Sequence, residues 1–236
     1  MSLPRRGPNL PYKLVAGVTP CAGQWLVASA KVSGATFAPE AARLIRTFSE
    51  VLDERPSFDA IVINAPVGYP ATGMRGLRRC DVEARELLGD RASTIAPVPS
   101  RELLAYDRGV VEGLDIATQV LLTRYRNVAA EMSPYRQRQV YEGKPELSFF
   151  QLNGGVPMQH AKYSDEGQAE REALLVAKLN GIERVLDAEI TRVKRYHLID
   201  AAVLVWTSRR AFTHTARRLP FEPEWDSEGL RMEYVL

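Results

Sequence analysis

Cysteine is nearly absent from this chain: Cys21 and Cys80 are the only two in 236 residues. Two such thiols make neither a disulfide framework nor a zinc pattern. They read as reduced, buried thiols of a cytosolic protein. Histidine is equally scarce, and His160, His197 and His214 lie too far apart for metal-ligand spacing. Long hydrophobic runs are missing too. No stretch approaches the roughly 18 apolar residues of a membrane span. Charge of one sign is not in excess, because the formal net charge is +2. Any contact with nucleic acid must therefore come from local clusters rather than from the chain as a whole. There is no phosphate-binding glycine loop, no G-x-S-x-G elbow, no internal repeat and no low-complexity segment.

What is present is ordinary for a globular protein. Hydrophobic residues make up 45% and charged residues 25%. The length suits one large α/β domain, or a domain with an inserted lobe, around a sizeable core. Met1 to Pro11 carries Arg5, Arg6 and three prolines but no apolar stretch. It reads as a flexible tail over 1–12 rather than a signal peptide, and the expected location is the cytoplasm. The expected body is a single domain over 13–236.

Two strands open that body. Lys13 to Thr19 and Gln24 to Val32 are apolar runs joined by the tight turn Pro20 to Gly23, which predicts a hairpin. Pro39 to Leu52 reads as a helix, with Ala42, Ile45, Phe48 and Leu52 at three- and four-residue spacing. Proline is tolerated in its first turn. Asp59 to Asn64 is a buried strand, apolar and β-branched, ended by Pro66 and Gly68. Two strands, a helix and a further buried strand predict a mixed sheet with a crossover. Beyond it, Gly68 to Gly76 and Arg91 to Arg101 read as loops, and Cys80 to Leu88 and Leu114 to Met132 as helices. Gln137 to Glu142 reads as a late strand. Leu147 to Leu152 is apolar and meets the turn Asn153-Gly154-Gly155. Asp165 to Leu179 reads as a helix with a capping box from Asp165 to Gln168. Ile182 to Arg195 is ambiguous, and Leu198 to Phe212 is a helix apolar enough to be buried.

Several polar residues stand out against this pattern. Thr19 and Asn64 each end a buried strand, and they lie close together if those strands are neighbours. They equally fit strand-end residues that satisfy loop backbone. In open α/β sheets, ligands gather outside the carboxyl ends of the strands, which draws interest to Asn64. Asp200 shares a face with Val203 and Leu204, where a carboxylate needs a partner or a metal; it also fits an N-cap. Glu142 and Glu146 flank Gly143-Lys144-Pro145 and could converge on a cation or simply be solvated. Arg75, Arg78 and Arg79 form a basic cluster, suited to phosphate or to a solvated helix start. His160 and Lys162 precede the Asp165 helix, where cationic groups beside a helix N-terminus favour an anion.

In this order the motifs resemble the DUF429 family, described as predicted RNase H-like nucleases. Ala16-Gly17-Val18-Thr19-Pro20-Cys21-Ala22-Gly23-Gln24-Trp25 is similar to its GVDGCPGGW opening. Asn64-Ala65-Pro66-Val67-Gly68 is similar to its DAPIG segment. Arg78-Arg79-Cys80-Asp81, with Glu83-Ala84-Arg85 and Leu87-Leu88-Gly89, resembles its RRCDxEAR helix. Glu142 to Phe149 with Leu152-Asn153-Gly154-Gly155 resembles its EVHPExSF and LNGG stretch. His160, Lys162, Gly167 and Arg171 fit its HSKKTxEGxxxR pattern, and Asp200-Ala201 its late Asp-Ala.

The resemblance implies an RNase H-like mixed sheet flanked by helices, with helical insertions over roughly 67–135 and 150–195. It also implies acidic residues at adjacent strand ends and on a late helix, holding Mg²⁺ or Mn²⁺ for phosphodiester cleavage. Here Thr19 and Asn64 stand where the family has aspartates. Glu142, Glu146 and Asp200 remain as candidate catalytic carboxylates, with Glu142 and Asp200 the candidate metal ligands. Three readings follow. The first is a degenerate member that binds nucleic acid or a protein partner and does not cut. The second is an active nuclease working through Glu142, Glu146 and Asp200. The third handles a small anionic or phosphorylated ligand near Arg78, Arg79, His160, Lys162 and Arg171. A membrane partner is not expected.

Overall fold

The computed structural model describes residues 10–72, 75–105 and 116–236. The expected tail over 1–12 therefore falls mostly outside the described residues, as do Leu114 and Asp115 of the expected long helix. The chain opens with β1 (Lys13–Cys21), β2 (Gln24–Ser33), β3 (Thr36–Pro39), β4 (Arg43–Ile45), α1 (Phe48–Leu52) and β5 (Ala60–Ile63). It continues through β6 (Arg75–Gly76), α2 (Arg79–Leu88), β7 (Val98–Pro99), α3 (Arg101–Leu104), α4 (Ile116–Glu131), β8 (Val140–Glu142) and α5 (Pro145–Leu152). It closes with α6 (Asp165–Lys178), α7 (Glu183–Leu186), α8 (Arg195–Phe212), β9 (Arg218–Trp225) and β10 (Arg231–Val235).

The main sheet has the order β3-β2-β1-β5-β8, with β4 also beside β2. β1 and β2 form the expected antiparallel hairpin, while β1, β5 and β8 run parallel. The expected mixed α/β sheet flanked by helices is what the chain forms. Register sets the later chemistry. Val18 lies opposite Ile63, and Ile63 opposite Glu142. Thr19, Asn64 and Gly143 therefore emerge side by side at the carboxyl edge of three parallel strands.

Both faces of the central strands are covered, which is why their sequence is continuously apolar rather than alternating. Val15 and Val62 pack toward α8, with Leu204 and Val205. Ala16, Val18, Ile61 and Ile63 pack the other way, with Phe48 of α1 and Val128 of α4. Each such buried aliphatic side chain contributes about 1.5–3 kcal/mol. Helix α8 reaches the sheet unusually closely at Gly17. A Cβ there would stand 2.3 Å from the Val205 backbone nitrogen and 2.5 Å from the Ala201 carbonyl oxygen. The missing side chain lets helix backbone rest on strand backbone.

Several elements depart from the sequence reading. The helix expected over Pro39 to Leu52 is helical only in its last turns, as α1. Thr36–Pro39 and Arg43–Ile45 instead pair with β2. The free edge of β2 offered backbone hydrogen bonds that a 3.6-residue apolar pattern could not outweigh. Thr47 then starts the helix: its Oγ1 accepts from the Glu50 N–H at 3.1 Å, and the Glu50 carboxylate accepts from the Thr47 N–H at 3.4 Å. The cap of α6 is Ser164, not Asp165, with its Oγ accepting from the Gly167 N–H at 3.0 Å. The late strand is only Val140–Glu142. The two loops expected after β5 meet as the short pair β6 and β7. The terminal hairpin of β9 and β10 was not foreseen; it packs with α2 and α5 around Cys80, Leu88, Leu147 and Tyr234. Among the described residues, no helix is long and apolar enough to cross a membrane.

Replacing Gly17 by alanine should lower stability by about 1–3 kcal/mol, the usual cost of forcing atoms into a filled core. A urea titration reads this as a lower midpoint. An unchanged midpoint would mean that α8 is not seated on β1 as described.

Candidate functional site

The carboxyl edge of the sheet is built around a fully buried arginine. Arg78 stands just before α2, where its own N–H donates to the Asp81 carboxylate at 2.8 Å. Its Nη1 and Nη2 form a fork on Glu142, each 2.8 Å from a carboxylate oxygen. Nε and Nη2 donate to Asp81 at 3.1 and 2.9 Å. Nη1 also donates to the Gly68 carbonyl at 2.8 Å, and Nη2 to the Tyr234 hydroxyl at 2.9 Å. Glu142 further accepts the Val67 N–H at 2.9 Å. Burial alone would raise the Asp81 carboxyl; the Arg78 charge and hydrogen bonds, with Tyr234, hold it below its ordinary value.

Glu146 is held in the same manner. It lies in the first turn of α5, and Nη2 of the buried Arg171 reaches both its oxygens at 3.0 Å. Arg91 adds a third bond at 3.1 Å. Arg171 completes its own bonding on the carbonyls of His160 and Gly167. Asp200 sits well inside α8, so it is not an N-cap; it faces the core and accepts from Lys162 Nζ at 2.8 Å. Burial pushes the Asp200 carboxyl up, with Lys162 opposing and Glu146 adding. Burial likewise works against the Lys162 charge, but the bond and charge of Asp200 win and raise it.

Thr19 and Asn64 do meet. The Asn64 Nδ2 donates to Thr19 Oγ1 at 3.3 Å. The edges of β1 and β5 are thus joined here by a neutral hydrogen bond. Each of the three remaining carboxylates is engaged by a cationic side chain: Glu142 by Arg78, Glu146 by Arg171 and Arg91, Asp200 by Lys162. Among the described residues, no three histidine, cysteine or acidic side chains converge as metal ligands would. A Mg²⁺ or Mn²⁺ site needs oxygen lone pairs that are free to turn toward the ion. This donor set does not suit it.

Beside these pairs lies a cleft of about 560 Å³, bordered by Asn64 and Pro66 after β5 and by Lys144 and Pro145 after β8. It has the position that ligand sites take in open α/β sheets. Arg91, Lys144, Glu146 and Lys162 give it charge, and Tyr125 and Tyr163 give it aromatic surface. Lys144 differs from its neighbours. Half-buried, it makes no ion pair among the described residues, and its Nζ lies 5.8 Å from the centre of the Tyr234 ring. Burial lowers its affinity for a proton; Glu142 opposes this and Arg78 adds to it.

Of the residues singled out from sequence, Asn64, Glu146 and Lys162 border the cleft. Glu142, Arg78 and Arg171 lie behind its wall, and Asp200 reaches it through Lys162. Arg79 lies elsewhere, exposed and paired with Glu83 at 3.2 Å. His160 is exposed, with its Nδ1 3.5 Å from Glu170. Lys144, Arg91 and Tyr163 were missed. The signal for Lys144 was available, since a lysine before a proline between two glutamates sits at a helix start. Its want of an ion pair among the described residues was not.

The chain belongs to the family described as protein of unknown function DUF429, whose family model matches residues 17–225. No curated protein and no solved structure matches it.

Two outcomes follow from these contacts. Arg78→Met leaves Asp81 and Glu142 buried without their cation, so stability should fall by about 3–5 kcal/mol. Chemical denaturation measures it; a loss under about 1 kcal/mol would contradict the network. His197, at the start of α8, accepts the Lys194 N–H on Nδ1 at 3.2 Å, a bond only the unprotonated nitrogen can take. Burial, then Lys162, Lys194 and Arg124, lower its pKa to about 4 from 6.5. The unfolded chain therefore binds this proton first, and stability is lost as pH falls from 6.5 to about 4. In His197→Gln, melting curves across that window should show a shallower loss, whereas an identical slope would exclude this assignment.

Proposed function

We propose that this protein binds a phosphate-bearing anion in the cleft beyond β5 and β8, on an RNase H-like scaffold that does not cut phosphodiesters through a metal. The observation that carries this reading is Lys144, which has no carboxylate partner among the described residues, at a cleft where Arg91, Glu146 and Lys162 are paired. Five cations, Arg78, Arg91, Lys144, Lys162 and Arg171, stand against four carboxylates, Asp81, Glu142, Glu146 and Asp200. An ammonium withdrawn from water without a counter-ion is costly, and a bound anion removes that cost. The start of α5 also borders the cleft and adds the positive end of a helix dipole.

Support for the absence of metal-dependent cutting is the state of the carboxylates. A dication would have to displace the Arg78 fork from Glu142, Arg171 and Arg91 from Glu146 and an ammonium from Asp200. Each displaced cation would then be left buried beside the incoming ion, with repulsion strengthened by the low local dielectric.

Isothermal titration with inorganic phosphate and pyrophosphate tests the reading. Wild-type protein should bind both, and Lys144→Met should weaken binding about tenfold or more, the worth of one charged hydrogen bond. Mg²⁺ and Mn²⁺ should not raise the melting temperature. The proposal fails if neither anion binds, or if a metal-induced rise appears and Asp200→Asn abolishes it.

A further inference from the structure

We infer that the anion is a nucleoside phosphate, with its phosphate on Lys144 and Arg91 and its base on Tyr163. This rests on the anion-binding reading above and adds the ligand's class. Size comes first. About 560 Å³ is far more than a free phosphate fills and lies within the range of small-molecule sites. The cleft is also mixed in chemistry. Arg91, Lys144 and Lys162 give its lining charge, while Pro97, Val98 and Leu121 give it apolar surface. A ligand that satisfies both must carry an anionic end and a flat or apolar body.

Tyr163 supplies the surface for that body. It is 68% exposed and borders the cleft. Its ring is nonetheless held in place. Tyr196 meets it edge-on with centroids 5.0 Å apart, and Lys162 Nζ lies 5.1 Å from its centre. An aromatic ring both accessible and fixed is suited to stacking on a base, because little freedom remains to be lost. Asn64 adds an acceptor. With its Nδ2 tied to Thr19, its Oδ1 is available to a hydroxyl or amino group of the ligand.

The same features favour a single nucleotide over a strand. Polynucleotides need a track of cations matched to successive phosphates. The chain carries a net charge of only +2, and three cations, Arg91, Lys144 and Lys162, line this cleft.

Calorimetric titrations of AMP, ribose 5-phosphate and inorganic phosphate test this in wild-type protein, Tyr163→Ala and Lys144→Met. Tyr163 is exposed, so its replacement should not disturb folding. AMP should bind wild-type protein about fivefold or more tighter than ribose 5-phosphate, the lower end of what base stacking contributes. Tyr163→Ala should erase that difference while leaving ribose 5-phosphate unchanged. Lys144→Met should weaken both. Equal affinity of the two ligands for wild-type protein would overturn the nucleoside assignment while leaving the anion site standing. So would a difference that survives in Tyr163→Ala, or a single-stranded oligonucleotide that binds more tightly than AMP. If none of the phosphates binds, both readings fall.

Discussion

The buried Arg78 fork is the contact on which the rest of this molecule's functional edge depends. One guanidinium joins the loop after β5, the start of α2, the end of β8 and the side chain of Tyr234 on β10. These segments are distant in sequence, and the parallel strands alone would not bring them together. A charge so deep must have every donor placed, or its desolvation would outweigh the packing around it. Arginine suits the position because its planar fork reaches two carboxylates and a carbonyl at once. Lysine has no such fork.

This arrangement decides what the edge of the sheet can do. Glu142 is consumed as a structural partner, since its oxygens already accept Arg78 and the Val67 N–H. Arg171 uses Glu146 likewise, and Lys162 uses Asp200. The carboxylates that resemble a nuclease centre in sequence are therefore counter-ions within an ion-pair network. Their charge being matched, the surplus at the cleft is positive and belongs to Lys144. The fold by itself assigns no chemistry to this edge; the side-chain partners are what the proposed anion site rests on.

Much of the architecture was open to reading from local pattern. Asp59 to Asn64 and the hairpin of β1 and β2 are so apolar that only a covered sheet accommodates them. Leu198 to Phe212 is a buried helix on the same grounds. The segment from Pro39 to Ile45 was misread because its apolar spacing fits a helix, while the unpaired edge of β2 recruited it as strand. The β9 and β10 hairpin escaped because Arg218–Trp225 alternates weakly, with its outer half exposed. At the site, the nearness of Thr19 and Asn64 followed from strand order. Arg91 and Tyr163 could not be read, because they come from separate connections that meet only at the cleft; Lys144 was legible as a helix start, but its charge environment was not.

By itself, then, the sequence determined the covered mixed sheet, the neutral pair near the ends of two strands and the set of charged residues near them. Apolar periodicity and residue type are local properties, and they carry that much. Tertiary structure alone decided which charge answers which. The buried Arg78–Glu142 pair depends on contacts of 2.8 Å between groups 64 residues apart, and no spacing rule along the chain encodes them. The partners of Glu142, Glu146 and Asp200, and the lack of an ion pair for Lys144 among the described residues, emerge only when the strands, α2, α5 and α8 are packed.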